Sequence, residues 1–144
     1  MNQTLKQIFD PGHHSKNINI ALLVLRLVAG ALMLTHGFGK LQFLFGSEPI
    51  QFQDPLGVGE VTSLVLAVFA EFLCSILLIV GLGTRLVAIP LLFTMMVAVF
   101  LVHINDGIGK QELPLLYAII FITIVTTGAG KYSLDYLLMK KIQE

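Results

Sequence analysis

Four long apolar runs constrain this chain more than any other feature of its sequence. They lie at residues 18–38, 61–82, 86–104 and 113–129, and each approaches the roughly 20 residues that an α-helix needs to cross a bilayer. Lipid offers the backbone no hydrogen bonds, so such runs must be helical even where β-branched residues are abundant. The chain is 56% hydrophobic and 12% charged, whereas soluble domains are about 45–50% apolar and about 25% charged. The sequence therefore predicts an all-α integral membrane four-helix bundle, with residues 1–144 forming one domain.

Basic residues are distributed unequally between the two sides of this predicted bundle. With four spans both termini share one side, and that side carries Lys6, Lys16, Arg85, Lys131, Lys140 and Lys141. The opposite side carries only Lys40 and Lys110. Because basic loops stay in the cytoplasm, we expect cytoplasmic N and C termini and an exoplasmic opposite face.

The segments between and after the runs carry further signals. Pro90 and Pro114 stand near the beginnings of the third and fourth runs and predict helix starts there, where a missing N–H costs little. The aromatic loop at 41–60 is expected to lie over the mouth of the bundle. After the fourth run, Ser133 is a good N-cap with Asp135 in the following turn. This pattern predicts a short amphipathic C-terminal helix at the membrane interface.

Two charged residues fall deep inside the predicted spans, and a buried charge in a membrane helix is a functional hypothesis by default. Arg26 lies in the first run and Glu71 near the middle of the second. Helical spacing puts Arg26 on one inward face with Gly30, Met33, Gly37 and Lys40. Two hypotheses stay open: a structural ion pair between Arg26 and Glu71 that locks two helices together, or a proton-handling or substrate-binding role for Glu71.

A second group of polar residues lies near the predicted exoplasmic boundary. His36 and His103 come at a similar height on different helices, and Lys40, Asp106 and Glu112 lie just beyond. We expect one polar cluster there. Interfacial histidines that bond a neighbour, a quinone headgroup or proton-handling site, and haem or metal ligation are the alternatives. Haem is disfavoured because the sequence has no c-type attachment motif and no paired histidines at helical spacing, and no metal is expected.

Several classes of function are excluded by missing motifs. The sequence contains no dinucleotide-binding or phosphate-binding glycine loop, no serine-hydrolase elbow and no zinc-protease helix. A single cysteine, Cys74, excludes an internal disulfide, a CxxC redox pair and a cysteine-rich cluster. Nothing in the sequence indicates binding to nucleic acid.

The order of several short motifs resembles the DoxX family of small bacterial membrane proteins from Leu25 onward. The motifs are LRLVAGALMLTHGFGKL, DPLGVGE, LAVFAEFLCSILLIVGLGTRL, MMVAVFLVHINDG, ELPLLY and GAGKYSLDYLL. The resemblance implies a multi-pass protein of the bacterial cytoplasmic (inner) membrane, acting as a quinone-linked oxidoreductase subunit with a redox partner or a further membrane subunit. It also implies an alternative, a non-enzymatic scaffold, assembly factor or module that binds a lipid or small solute.

The resemblance extends to individual positions. Those that match the family's pattern are His36, Gly37, Lys40, Asp54, Pro55, Glu71, Arg85, His103, Glu112, Gly128, Gly130, Ser133 and Asp135. Where the family commonly has Gly-Pro-Gly-Arg, this chain has Gly-Ala-Gly-Lys at 128–131, which keeps the positive charge. From the cluster and the resemblance together we predict that Glu71 and His103 handle protons. We further predict that His36, Lys40, Asp54 and Glu112 contact the ligand, for which a quinone is the candidate.

Overall fold

The computed structural model describes residues 9–143, which form five helices and no strands. They are α1 Lys16–Leu44, α2 Glu60–Val80, α3 Thr84–Val102, α4 Ile108–Thr127 and α5 Leu134–Gln143. The first four are long and apolar enough to cross a membrane. The predicted all-α fold, with four candidate spans and a short C-terminal helix, is confirmed. Lys6, one of the residues used to predict orientation, lies outside the described range.

All four long helices begin before their apolar runs, and for α3 and α4 this places a proline well inside the helix. The chain enters α3 through Gly83 and α4 through Gly107, both at positive φ (59° and 80°). Pro90 and Pro114 are therefore the seventh residues of their helices, and the prediction that they mark helix starts is wrong. Because each first turn is less apolar than the rest of its helix, hydropathy placed the boundaries too late in the chain.

Two of the spanning helices contain a π-helical segment. In α2 it runs over Phe69–Cys74 and in α3 over Ala98–Val102. The second segment closes with a hydrogen bond from the His103 amide to the Ala98 carbonyl (2.9 Å). A π turn adds one residue to the helix and redirects the side chains beyond it, and it is frequent at functional sites. Here one segment contains Glu71 and the other ends beside His103.

The bundle core is apolar, and the inward face predicted for α1 is buried. Arg26, Gly30, Met33 and Gly37 are buried on that face. The apolar side chains with 0% exposure lie on the other helices and are Leu64, Leu78, Ala88, Leu91, Phe121 and Ile124. Large apolar side chains are also exposed along the outside of all four long helices. An outer surface of this kind suits contact with lipid rather than with water.

The end of the bundle where α1 begins and α4 ends, here called the terminal end, is organised around Arg26. The Gly130 amide donates to the Pro11 carbonyl (2.8 Å), which joins the segment before α1 to the segment between α4 and α5. The Arg26 side chain is 1% exposed. Its guanidinium donates to four backbone carbonyls, those of Leu78 (3.1 Å), Ile79 (3.1 Å), Ala129 (2.5 Å) and Tyr132 (3.2 Å). The first two belong to the C-terminal turn of α2, where carbonyls lack helical partners and the helix dipole favours a cation.

The predicted ion pair between Arg26 and Glu71 is wrong. Arg26 lies opposite Leu78, which is seven residues from Glu71 and so about 10 Å away along α2. The carboxylate of Glu71 pairs instead with Lys40. Sequence spacing had placed both cations on the correct face of α1, but only the packing of α1 on α2 decides which of them is level with the carboxylate.

A second buried charge joins α5 to α3 at the terminal end. The Asp135 carboxylate, in a residue that is 1% exposed, accepts hydrogen bonds from the amides of Gly83 (2.7 Å) and Thr84 (2.9 Å). These donors belong to the N-terminus of α3, which has no helical acceptors for them. The predicted N-cap is also confirmed, because the Ser133 hydroxyl accepts from the Tyr136 amide (3.2 Å). Asp135 thus caps a helix distant from it in sequence.

Candidate functional site

Glu71 lies at the centre of the candidate site. It is 2% exposed, and its Oε1 pairs with the ammonium group of Lys40. Its Oε2 is buried and has no hydrogen-bond partner among the described residues. A buried polar atom without a partner is costly and rare in folded proteins. This oxygen is therefore a candidate contact for water or a ligand.

Close packing between α1 and α2 explains how Lys40 reaches this carboxylate. A Cβ atom added at Gly37 would overlap the backbone of Glu71 and Phe72, so a larger residue there would push the two helices apart. Side chains on a helix lean toward its N-terminus. Lys40, about one turn after Gly37, therefore extends back along α1 to Glu71.

His103 is oriented by a carboxylate in the loop between α3 and α4. Its Nδ1 lies 2.8 Å from Oδ2 of Asp106, and the Lys110 ammonium lies 3.6 Å from the same oxygen. The hydrogen bond with His103, together with the smaller effect of the Lys110 charge, lowers the pKa of Asp106. With Nδ1 engaged in this way, Nε2 of His103 is the ring atom left to meet a ligand.

A cavity of about 600 Å³, here called the slot, lies between α2 and α3 beneath the loop at 45–59. Most of its wall is apolar, including the rings of Phe52, Phe69 and Phe93. Lys40, Glu71 and His103 are its charged and ionisable wall residues. Since Phe52 belongs to the loop, part of the segment that we expected to lie over the bundle mouth does cover the slot.

A smaller cavity of about 160 Å³, here called the chamber, lies between α1, α3 and α4. Its wall includes His36, Met33, Met95 and Tyr117. Lys40, Glu71 and His103 line the chamber as well as the slot. These three side chains thus form a polar partition between the two cavities, and this end of the bundle is called the cavity end below.

Two of the predicted ligand contacts, Asp54 and Glu112, line neither cavity. The Asp54 carboxylate accepts from the Val58 amide (3.0 Å), the Gly59 amide (2.7 Å) and the Ser63 hydroxyl (2.7 Å). These bonds, the one from Ser63 foremost, lower the pKa of Asp54. The side chain therefore fastens the loop to the start of α2. Glu112 is exposed and lines neither cavity.

The structure thus brings together four of the predicted residues, His36, Lys40, Glu71 and His103. It also shows one contributor whose role was missed, Asp106, although the three-residue spacing from His103 was a usable signal for it. The aromatic wall of the slot and the π segments had no comparable signal, because they depend on how α2 and α3 pack.

Comparison with known proteins agrees with this architecture. The pattern that describes the DoxX family matches residues 21–104. The chain is 28% identical over 127 residues to a protein of Bacillus subtilis named "Putative oxidoreductase CatD", covering 88% of this chain and 92% of the other. It is 36% identical over 129 residues to an uncharacterized protein of Haemophilus influenzae, covering 83% and 92%. It is 29% identical over 127 residues to the "Inner membrane protein YqjF" of Escherichia coli, covering 85% and 95%.

No solved structure gives a significant match to the chain. The family assignment therefore rests on the sequence matches, and the four long apolar helices agree with them. The chain belongs to the DoxX family, as a multi-pass membrane protein.

Proposed function

We propose that this protein is an inner-membrane subunit of a quinone-linked oxidoreductase and that the quinone binds in the slot. The observation that carries the proposal is the combination of a mostly apolar cavity with the polar partition of Lys40, Glu71 and His103 in its wall. Ligand pockets are commonly about 300–1,000 Å³, mostly apolar, with a few converging polar groups. The slot has this composition and falls within this range of volumes.

The donors and acceptors of the partition suit a quinone headgroup. A quinone carbonyl accepts hydrogen bonds, and both the Lys40 ammonium and a protonated Nε2 of His103 donate them. The unpartnered Oε2 of Glu71 is an acceptor for a hydroxyl group. A bound quinone would supply two-electron, two-proton chemistry, with electrons from a partner subunit or soluble reductant. Lys40 and His103 would orient the headgroup, and Glu71 would hold or release a proton at Oε2.

Names of the relatives lend support from outside the structure. One relative is called a putative oxidoreductase and another an inner membrane protein. We extend both descriptions to this chain as part of the proposal. Asp106 would act through the partition residue His103, because it contacts the imidazole and lines neither cavity.

A second candidate is a non-enzymatic module that binds a membrane lipid in the same slot. The apolar majority of the wall favours it, because an acyl chain fits such a surface as well as an isoprenoid tail does. In that case Lys40 would meet an anionic headgroup, and there would be no electron transfer.

Extraction and binding measurements separate the two candidates. The protein purified from membranes should release a quinone into organic solvent, and in lipid nanodiscs it should bind a short-tailed ubiquinone or menaquinone analogue saturably. Glu71→Gln, Lys40→Met and His103→Ala should each weaken this binding at least about tenfold, since a good polar contact contributes about 1.4 kcal/mol or more. Lipid alone in the extract, with no saturable quinone binding, would refute the first candidate and support the second.

Matched controls guard against effects of charge or folding. Glu48→Gln, Lys16→Met and His13→Ala repeat the same three chemical changes at exposed residues that line neither cavity. Each control should bind quinone as the unaltered protein does. If the controls and the partition variants lost quinone binding equally, the losses could not be attributed to the slot.

A further inference from the structure

We propose that the chamber is a water-filled vestibule through which protons from bulk water reach Glu71, with His36 at its mouth. The ligand assigned to this second cavity is water. The inference goes beyond the proposed function, because it concerns a different cavity and holds for any occupant of the slot.

The first argument is the unpartnered oxygen of Glu71. Oε1 is taken by Lys40, whereas Oε2 is buried without a hydrogen-bond partner among the described residues. Leaving a buried acceptor unpaired is costly in free energy, because its hydrogen bonds with water are lost and not replaced. Because Glu71 lines the chamber, a water molecule there is a candidate donor to this oxygen.

The second argument is the size and polarity of the chamber. About 160 Å³ is many times the roughly 10–15 Å³ that a single water requires. A buried water also needs two to four polar partners. His36, Lys40, His103 and Tyr117 line the chamber and supply them. The slot is larger but mostly apolar, so we assign water to the chamber and an apolar ligand to the slot.

The third argument is the opening. His36 lines the chamber but not the slot, and it is exposed, whereas Met33 in the same wall is 1% exposed. His36 therefore lies where the chamber meets the surface. An imidazole at such a point can accept a proton on one ring nitrogen and release one from the other.

These contacts define one proton path. The ionisable groups that face Glu71 are Lys40 and His36 from α1, His103 from α3 and Tyr117 from α4. A proton carried as hydronium in the chamber forms an O–H bond at Oε2 as one O–H bond of the hydronium breaks, which leaves neutral water, and the next proton enters from bulk water at His36. The same proton leaves Glu71 when a basic atom in the slot accepts it. Glu71 is suited to both transfers because it lines both cavities.

Cysteine accessibility tests whether water enters the chamber. Cys74, the chain's single cysteine, is replaced by serine, and Met33→Cys is compared with Leu78→Cys. Both positions are almost fully buried (1% and 0% exposed), but only Met33 lines the chamber. A small cationic thiosulfonate reagent, which does not enter lipid, should modify Met33→Cys at least tenfold faster. Equal, slow modification in two proteins with unchanged melting temperatures would overturn the proposal.

Infrared spectroscopy tests whether the vestibule carries protons to Glu71. The carboxyl band that Glu71→Gln removes is monitored after transfer from H2O to D2O. His36→Phe, which places a ring at the mouth, should slow the exchange of this band at least tenfold. Thr35→Phe adds the same ring at the neighbouring exposed residue, which lines neither cavity, and should leave the rate unchanged.

Two results would overturn the proton path. One is exchange in His36→Phe as fast as in the unaltered protein. The other is a Glu71 band that never appears at any pH at which the protein stays folded. Neither measurement uses a quinone, so a failure to bind quinone would count against the proposed function and leave the vestibule standing.

Discussion

The terminal end and the cavity end of the bundle both bury charged side chains, but they satisfy them differently. At the terminal end, Arg26 donates to four carbonyls and both carboxylate oxygens of Asp135 accept from backbone amides. At the cavity end, Glu71 has one oxygen paired with Lys40 and one with no partner among the described residues, and two cavities adjoin it.

This difference separates polar groups that the fold satisfies from polar groups that it leaves available. A charge whose hydrogen-bonding capacity is used by the protein's own backbone has nothing left to offer a ligand, and it contributes to stability. A polar group left partly unpaired beside a cavity weakens the fold but remains available for binding, which is the usual trade between stability and activity. We therefore expect substitutions at the terminal end to reduce stability and substitutions at the cavity end to reduce binding.

The largest effect is expected at Arg26. Arg26→Met removes the donor for four buried or partly buried carbonyls, and we expect it to lower the free energy of unfolding by at least about 3 kcal/mol. Thermal unfolding in detergent, detected by the reaction of buried Cys74 with a thiol-reactive dye, measures the change. The double variant Lys40→Met with Glu71→Met replaces the partly buried pair at the other end by apolar side chains. It should shift the melting temperature much less, because replacing both members of such a pair by apolar residues of similar size is often nearly neutral. A larger loss in the double variant would reverse the comparison.

Packing between α1 and α2 gives the next largest effect. Gly37→Ala places a methyl group against the backbone of Glu71 and Phe72, and overpacking of this kind costs about 1–3 kcal/mol. The change should also displace the partition and weaken ligand binding. Gly39→Ala, two residues later, meets nothing within 4 Å. It should instead stabilise the helix by roughly 0.5–1 kcal/mol. Similar melting temperatures for the two variants would show that the close approach at Gly37 is not needed.

Substitution of Asp135 is expected to cause a smaller loss of stability. Asp135→Asn keeps one side-chain oxygen for the amides of Gly83 and Thr84 but loses the negative charge at the N-terminus of α3. A cost of about 1 kcal/mol is typical for weakening a helix cap. Quinone binding should be unaffected. The control is Asp106→Asn, which should leave the melting temperature nearly unchanged and weaken binding through His103. The opposite pattern would refute the division between the two ends.

The smallest effect concerns Asp54 and pH. The hydrogen bonds from Ser63 and the loop amides lower the pKa of this carboxyl in the folded protein. The stability that ionised Asp54 contributes is therefore complete above its pKa in the unfolded chain, about 3.9. It is lost as the pH falls through its lower pKa in the folded protein. Protease cleavage in the loop at 45–59 should be constant from pH 7 to about 5 and increase at more acidic pH. In Asp54→Asn this acid-dependent step should be absent; its persistence there would assign it to another group.

Much of this architecture was predictable from residue patterns. Helical spacing placed Arg26, Gly30, Met33 and Gly37 on the buried face of α1, because a 3.6-residue period is a local property of the backbone. Counting turns also placed His36, Lys40 and His103 at one end of the bundle, where the chamber now joins them. The roles of these residues as ligand contacts and proton carriers stay predictions, as does the cytoplasmic position of the terminal end.

The partners that charged side chains contact on other helices and loops were less predictable. The ion pair between Arg26 and Glu71 was wrong because both Arg26 and Lys40 satisfied the same spacing rule, and the depth of each depends on how α1 slides along α2. Asp54 was assigned to the ligand by resemblance alone, whereas its carboxylate is occupied by the loop and Ser63.

The sequence by itself determined that this chain takes lipid as its solvent and therefore folds as four long helices. The length of the apolar runs, and the need to satisfy every backbone hydrogen bond within the protein, favour membrane-spanning helices. Only the tertiary structure decided which charges are satisfied and which remain available. The close contact at Gly37 sets the position of α1 along α2. The π segments direct Glu71 and His103 toward the chamber that both residues line. Both depend on atoms far apart in sequence, which no local pattern encodes.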